Sequence, residues 1–217
     1  MTLKIFHSNN NDNNKGSMGK DSIFDDFGSK TFTRKITGEI LEFYLSGEIS
    51  SPDNYIEWFD AIRNAKYDDT VKIYINSSGG HMDTALQFLR VLSETNAEVV
   101  CSIEGACASA ATIIFLAADT LEVTPNSLFM VHNYSSGAFG KGNEMVSQIM
   151  FERTWSEKLF NAVYKHFMSA QEIKDVLNGQ DLWLDSDEVI IRCQVAMEEK
   201  EKEAKRLALT KKEEEDA

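Results

Sequence analysis

Proline is nearly missing from this chain: Pro52 and Pro125 are its only two, so no stretch reads as a Pro-rich linker. Cysteine is scarce as well. Cys101, Cys107 and Cys193 are odd in number and form no CxxC pair, which argues against a disulfide framework or a zinc site and suits a reducing cytoplasm. Basic residues are outnumbered, 22 against 35 acids, for a net charge of -13. That balance disfavours nucleic acid as a partner, because phosphate binding wants a basic face, and it disfavours anionic membrane surfaces. No run approaches the roughly 18 apolar residues of a membrane span. Met1 to His7 leads at once into Ser8-Asn9-Asn10-Asn11, so no signal-peptide core is expected.

What remains is enough for one globular domain. The 217 residues are 42% hydrophobic and 26% charged, a soluble composition with a sizeable core. Residues 1–30 are rich in Asn, Asp, Gly, Ser and Lys and are expected to be a flexible polar segment. They contain Gly16-Ser17-Met18-Gly19-Lys20-Asp21, which fails as a phosphate loop: Asn14 stands where the first glycine belongs and Asp21 follows the lysine. Residues 198–217 form a charged tail with eight acids and six bases, expected to be a solvated helix or a frayed end.

Between these ends the chain alternates strands and helices. Ile40 to Leu45, Val71 to Ile75, Ala97 to Ile103 and Leu128 to Val131 read as strands. Ser51-Pro52-Asp53 reads as a helix start with a capping hydroxyl. Met82, Ala85, Leu86, Leu89 and Leu92 form an apolar helical stripe, and Ser109 to Ala118 a short apolar helix. The alternation predicts an α/β fold with parallel strands and right-handed crossovers. A long helix is expected over about 143–168. Ser169-Ala170-Gln171-Glu172 is a capping box for the next helix, closed by Asn178-Gly179.

Two turns fall at the carboxyl edge of the predicted sheet, where ligands bind in such folds. One is Gly105-Ala106-Cys107-Ala108-Ser109, where Ser109 opens a helix directly after a strand. Unpaired N–H groups of a first helical turn suit the oxyanion of a tetrahedral intermediate, and the small neighbours admit a substrate carbonyl. The other is Gly79-Gly80, whose backbone can approach a carbonyl closely. A packing role for either turn explains the same residues equally simply. A nucleophilic serine needs a base, and four histidines compete: His7, His81, His132 and His166. His7 lies in the polar segment and His166 in the long helix, whereas His81 and His132 sit at the sheet edge. Spacing does not choose the orienting carboxylate among the 35 acids.

Four segments together resemble the ClpP-like serine peptidases, the proteolytic subunit of the Clp protease. They are Tyr74-Ile75-Asn76-Ser77-Ser78-Gly79-Gly80, Gly105 to Ser109, Met130-Val131-His132 and Asp181 to Glu188, in family order over about residues 38–190. The resemblance implies the ββα spiral shared by ClpP and the crotonases, with a protruding handle helix, as a peptidase domain over residues 31–197. It implies Ser109 as nucleophile, His132 as base, Asp181 as orienting acid, and Gly80 and Ala110 as oxyanion donors, with no cofactor and no metal. It further implies a serine endopeptidase acting on unfolded polypeptides within a heptameric or tetradecameric homo-oligomeric ring fed by an AAA+ unfoldase. A capsid-maturation protease and a non-catalytic ring subunit are the alternatives; a crotonase acting on acyl-CoA lacks support from any basic phosphate site. The chain departs from the family at Ser78, at Asn133-Tyr134, and at Arg192-Cys193-Gln194-Val195-Ala196, where a helix-ending glycine is missing.

Overall fold

The computed structural model describes residues 2–5 and 38–215. The phosphate-loop-like stretch and His7 lie outside the described residues. Seven strands, β1 (Thr2–Ile5), β2 (Ile40–Ile49), β3 (Thr70–Gly80), β4 (Glu98–Ala108), β5 (Thr120–Val123), β6 (Leu128–Val131) and β7 (Leu182–Asp185), share one sheet. Its main path runs β1-β5-β4-β3-β2, all parallel, while β6 pairs with the far end of β4 and β7 lies antiparallel to β6. The helices are α1 (Ile56–Asn64), α2 (Met82–Glu94), α3 (Ala110–Leu116), α4 (Gly142–Tyr164), α5 (Ala170–Leu177) and α6 (Ser186–Glu215), with a 3-10 turn at Pro52–Tyr55.

The pattern of side chains explains the layering. In β3, Val71, Ile73 and Ile75 are fully buried while Lys72 and Tyr74 between them are not, so one face of the sheet takes the helices and the other faces outward. On the buried face Phe59 of α1 and Phe88 of α2 meet edge-on, with ring centroids 4.8 Å apart. On the outer face Tyr44 stacks on Tyr74 and Lys72 pairs with Glu122 at 2.9 Å. Every residue of α3 is buried, which is why that segment carries no polar side chain except Thr112.

Three strands escape sequence reasoning, and each is only four residues long. β1 falls in the segment expected to be polar and flexible, β5 immediately follows α3, and β7 makes the sheet mixed rather than all-parallel. The first helix also begins differently: the Ser51 hydroxyl donates to the Asp53 carboxylate instead of capping a backbone N–H. The capping box of α5 is present, with Glu172 N–H donating to Ser169 Oγ at 3.2 Å and Ser169 N–H to the Glu172 carboxylate at 2.8 Å. At the missing glycine, Cys193 is fully buried and α6 continues as far as Glu215.

Candidate active site

Strands β3 and β4 lose their regular register where they reach the site. Beyond the Ile75–Ile103 pair, the next partners are Ser77 and Cys107, so Glu104, Gly105 and Ala106 form a bulge in β4. The Asn76 side chain holds that bulge by accepting the Ala106 N–H at 3.0 Å. The extra residues carry β4 on to Ala108, and the chain then turns sharply into α3.

Ser109 is the residue at that turn. It adopts φ 55 and ψ -126, one of two described non-glycine residues with positive φ. Such a conformation costs on the order of 1–3 kcal/mol and persists only where the surroundings impose it. Here Ser109 N–H donates to Met130 O at 2.8 Å, and its carbonyl accepts Thr112 N–H at 3.0 Å and the Thr112 hydroxyl at 2.6 Å. The strand-to-helix turn thus presents Ser109 Oγ outward, as a nucleophile elbow does.

The Gly79-Gly80 turn lies directly against it. Gly79 has φ 92, and a Cβ there would stand 2.6 Å from Ser109 Cβ and 2.7 Å from Ala108 O. Gly80 has φ 147, and its Cβ would fall 2.2 Å from Ile49 O. Neither position accepts a side chain, for both conformational and steric reasons. Ala110, the first residue of α3, has an N–H without an intrahelical acceptor.

His132 follows β6, beside the far end of β4. Its Nε2 is 2.6 Å from Ser109 Oγ, so of the three described histidines it is the one paired with the serine. His81 lines the same cleft, a space of about 460 Å³ that also touches Glu48, Gly79, Gly80, Ser109 and His132. His166 is occupied elsewhere, 2.8 Å from the Glu203 carboxylate. Asp181 immediately precedes β7. Because Val131 faces Leu182 across the antiparallel β6–β7 pair, Asp181 and His132 are the next residues along. The Asp181 carboxyl is exposed, and among the described hydrogen bonds none joins it to His132. A larger cavity of about 800 Å³ opens between α4 and α5, and Tyr134 lines both it and the cleft.

Sequence reasoning gave Asn76, Ser77, Thr112 and Tyr164 no role of their own at the site. The buried Ser77 Oγ accepts the Gly79 N–H at 3.1 Å, and Tyr164 touches Thr112 from α4. A polar residue inside an all-apolar helix, as Thr112 is, was the one signal available.

A strained serine on a strand-to-helix elbow with a histidine on its Oγ is the arrangement of an α/β serine hydrolase. The comparisons with known proteins narrow that class. The family model described as Clp protease matches residues 51–191; the chain belongs to the Clp protease family, whose members are serine peptidases. It is 30% identical over 129 residues to the ATP-dependent Clp protease proteolytic subunit 3 of Rhizobium etli, a match covering 51% of this chain and 66%, just under two thirds, of that subunit. Among solved structures, a point mutant of ClpP1 from Listeria monocytogenes shares the fold with a TM-score of 0.57. That match is 23% identical and covers 70% of this chain and 86% of the other. No helix among the described residues is long and apolar enough to cross a membrane.

Proposed function

We propose that this chain is a serine endopeptidase that cleaves unfolded polypeptides through an acyl-enzyme on Ser109. The observation that carries the reading is the 2.6 Å approach of His132 Nε2 to the hydroxyl of a conformationally strained serine. With Nδ1 protonated, Nε2 accepts the Ser109 proton as Oγ attacks the scissile carbonyl carbon. The resulting oxyanion is held by the N–H groups of Ala110 and Gly80. As the C–N bond breaks, His132 returns the proton to the leaving amine. Water then attacks the acyl-enzyme with His132 again as base, releasing the acid and restoring Ser109. Asp181, one residue beyond the β6–β7 pairing, orients His132. No metal or cofactor has a part in these steps.

Residues 31–197 form the peptidase unit in this reading, α4 is its handle, and residues 1–30 and 198–217 flank it. The subunits form a homo-oligomeric ring, an AAA+ unfoldase delivers substrate, and the protein works in the cytoplasm. The three buried free cysteines agree with a reducing compartment. A fluorophosphonate probe should label Ser109, and Ser109→Ala should abolish cleavage of casein; cleavage that survives the substitution would sink the assignment. That no described hydrogen bond joins Asp181 to His132 favours one second reading, a ring subunit without turnover. A folded assembly that no serine-directed probe labels would establish it.

A further inference from the structure

We propose that Tyr164 and Thr112 are positioning residues, forming a buried hydroxyl relay that aims the Ala110 N–H at the oxyanion. The inference rests on the reading of Ser109 as nucleophile and Ala110 as oxyanion donor.

The relay is read from three contacts. Tyr164 Oη lies 2.6 Å from Thr112 Oγ1, Thr112 Oγ1 lies 2.6 Å from the Ser109 carbonyl oxygen, and Thr112 N–H reaches the same oxygen at 3.0 Å. The direction of the protons follows from chemistry. A carbonyl oxygen only accepts, so the single Thr112 hydroxyl proton goes to Ser109 O. Tyr164 must then be the donor to Thr112. Both groups are buried, Thr112 at 0% exposure and Tyr164 at 2%, so no water competes for them. Burial also pushes the Tyr164 phenol up, so it keeps the proton it donates.

The consequence lies on the other side of the peptide. Ser109 C=O and Ala110 N–H belong to one planar trans unit and point in opposite directions. Two donors that hold the oxygen toward the helix therefore turn the N–H out of the helix start, toward the cleft. They also polarise the amide, which makes its N–H a stronger donor. A strained Ser109 needs such restraint, since its φ of 55 is unfavourable for any side-chain-bearing residue. The phenol arrives from α4, where the Tyr164 ring is held by Phe160 at a centroid distance of 5.1 Å. The orientation of the oxyanion donor is thereby tied to the end of the long helix.

The test uses the full chain and a fluorophosphonate probe, with the maximal labelling rate and the half-saturating concentration measured separately. Since loss of a whole oxyanion donor costs about 10²–10³ in rate, misaiming one through Tyr164→Phe should slow maximal labelling about tenfold and leave half-saturation unchanged. Thr112→Val should slow it at least as much, Thr112→Ser should restore it to within about twofold, and the double variant should be no slower than Thr112→Val, because the groups act in series. Ile113→Val, a neighbouring packing change that lowers thermal stability without touching the relay, should label at the parental rate. Parental labelling by Tyr164→Phe would overturn the proposal, as would a comparable loss in Ile113→Val. If Thr112→Val does not fold, Tyr164→Phe and Thr112→Ser decide. Casein cleavage by Ser109→Ala would instead overturn the nucleophile assignment on which the relay depends, so the two failures are distinct.

Discussion

The turn at Ser109 and the first half of α4 use opposite kinds of residue in opposite surroundings. Around Ser109 the side chains are small and buried: Cys107, Ala108, Ala110 and Ala111 lie at 5% exposure or less. Along α4, large apolar residues stand in solvent, with Val146 61% exposed, Met150 62% and Phe151 69%. Further along the same helix, Tyr164 is buried against α3. Small buried residues let backbone groups serve as the working parts of a site, whereas large exposed apolar ones are surface in search of cover. On the proposed reading that contrast separates the chemistry from the assembly, and it can be tested from each side.

The largest effect is expected at the turn. On the proposed reading, Ser109→Ala or His132→Ala should lower kcat for peptide cleavage by at least about 10³-fold, since a nucleophile and its base act as a unit, while thermal stability and native mass stay unchanged. Gly79→Ala should be nearly as damaging, because its Cβ would stand 2.6 Å from Ser109 Cβ and its φ is 92; loss of fluorophosphonate labelling measures it. Next comes the buried end of α4. Phe160→Ala should destabilise the fold by about 3–5 kcal/mol in denaturant melts, as deletion of a buried aromatic does, whereas Phe151→Ala on the exposed half should stay within about 0.5 kcal/mol. A Met150→Glu, Phe151→Glu pair should leave the fold intact and reduce the native mass seen by analytical ultracentrifugation. An unchanged mass would separate that surface from assembly.

A further small effect concerns a link remote from both regions. Arg192 of α6 bonds the Glu172 carboxylate at 2.7 and 3.1 Å and Glu188 at 2.7 Å. The Arg192 guanidinium holds the Glu172 carboxyl down at about 2. A lowered folded pKa stabilises the fold above the ordinary carboxylate range, and that stabilisation is lost as pH falls from about 4.5 toward about 2. Glu172→Gln should therefore cost up to about 1 kcal/mol at neutral pH, given the partial exposure of the pair. The gap between variant and parent in thermal melts should close near pH 2.

Much of the region around Ser109 was legible in the sequence because its constraints are local. Gly79 and Gly80 are required by φ and by contacts under 3 Å, and a serine between alanines at a strand-to-helix junction is conspicuous. The strand β6 and the capping box of Ser169 and Glu172 appear where periodicity and spacing place them. Strands β1, β5 and β7 were not legible, since their runs owe their form to pairing with neighbours distant in the chain. The departure at Arg192 and Cys193 also acquires a reason only in three dimensions: one ties α6 to α5 and the other fills the core.

By itself, then, the amino-acid sequence determined the order of the main elements, the two glycine turns, the acidic character and the set of residues from which a nucleophile and base could come. Tertiary structure decided which histidine meets Ser109, that the serine is held in a strained conformation, and that Thr112 and Tyr164 reach its carbonyl. Those outcomes depend on pairs separated by 23 and 52 positions, and no local propensity encodes a contact that only the sheet register and the docking of α4 can bring about.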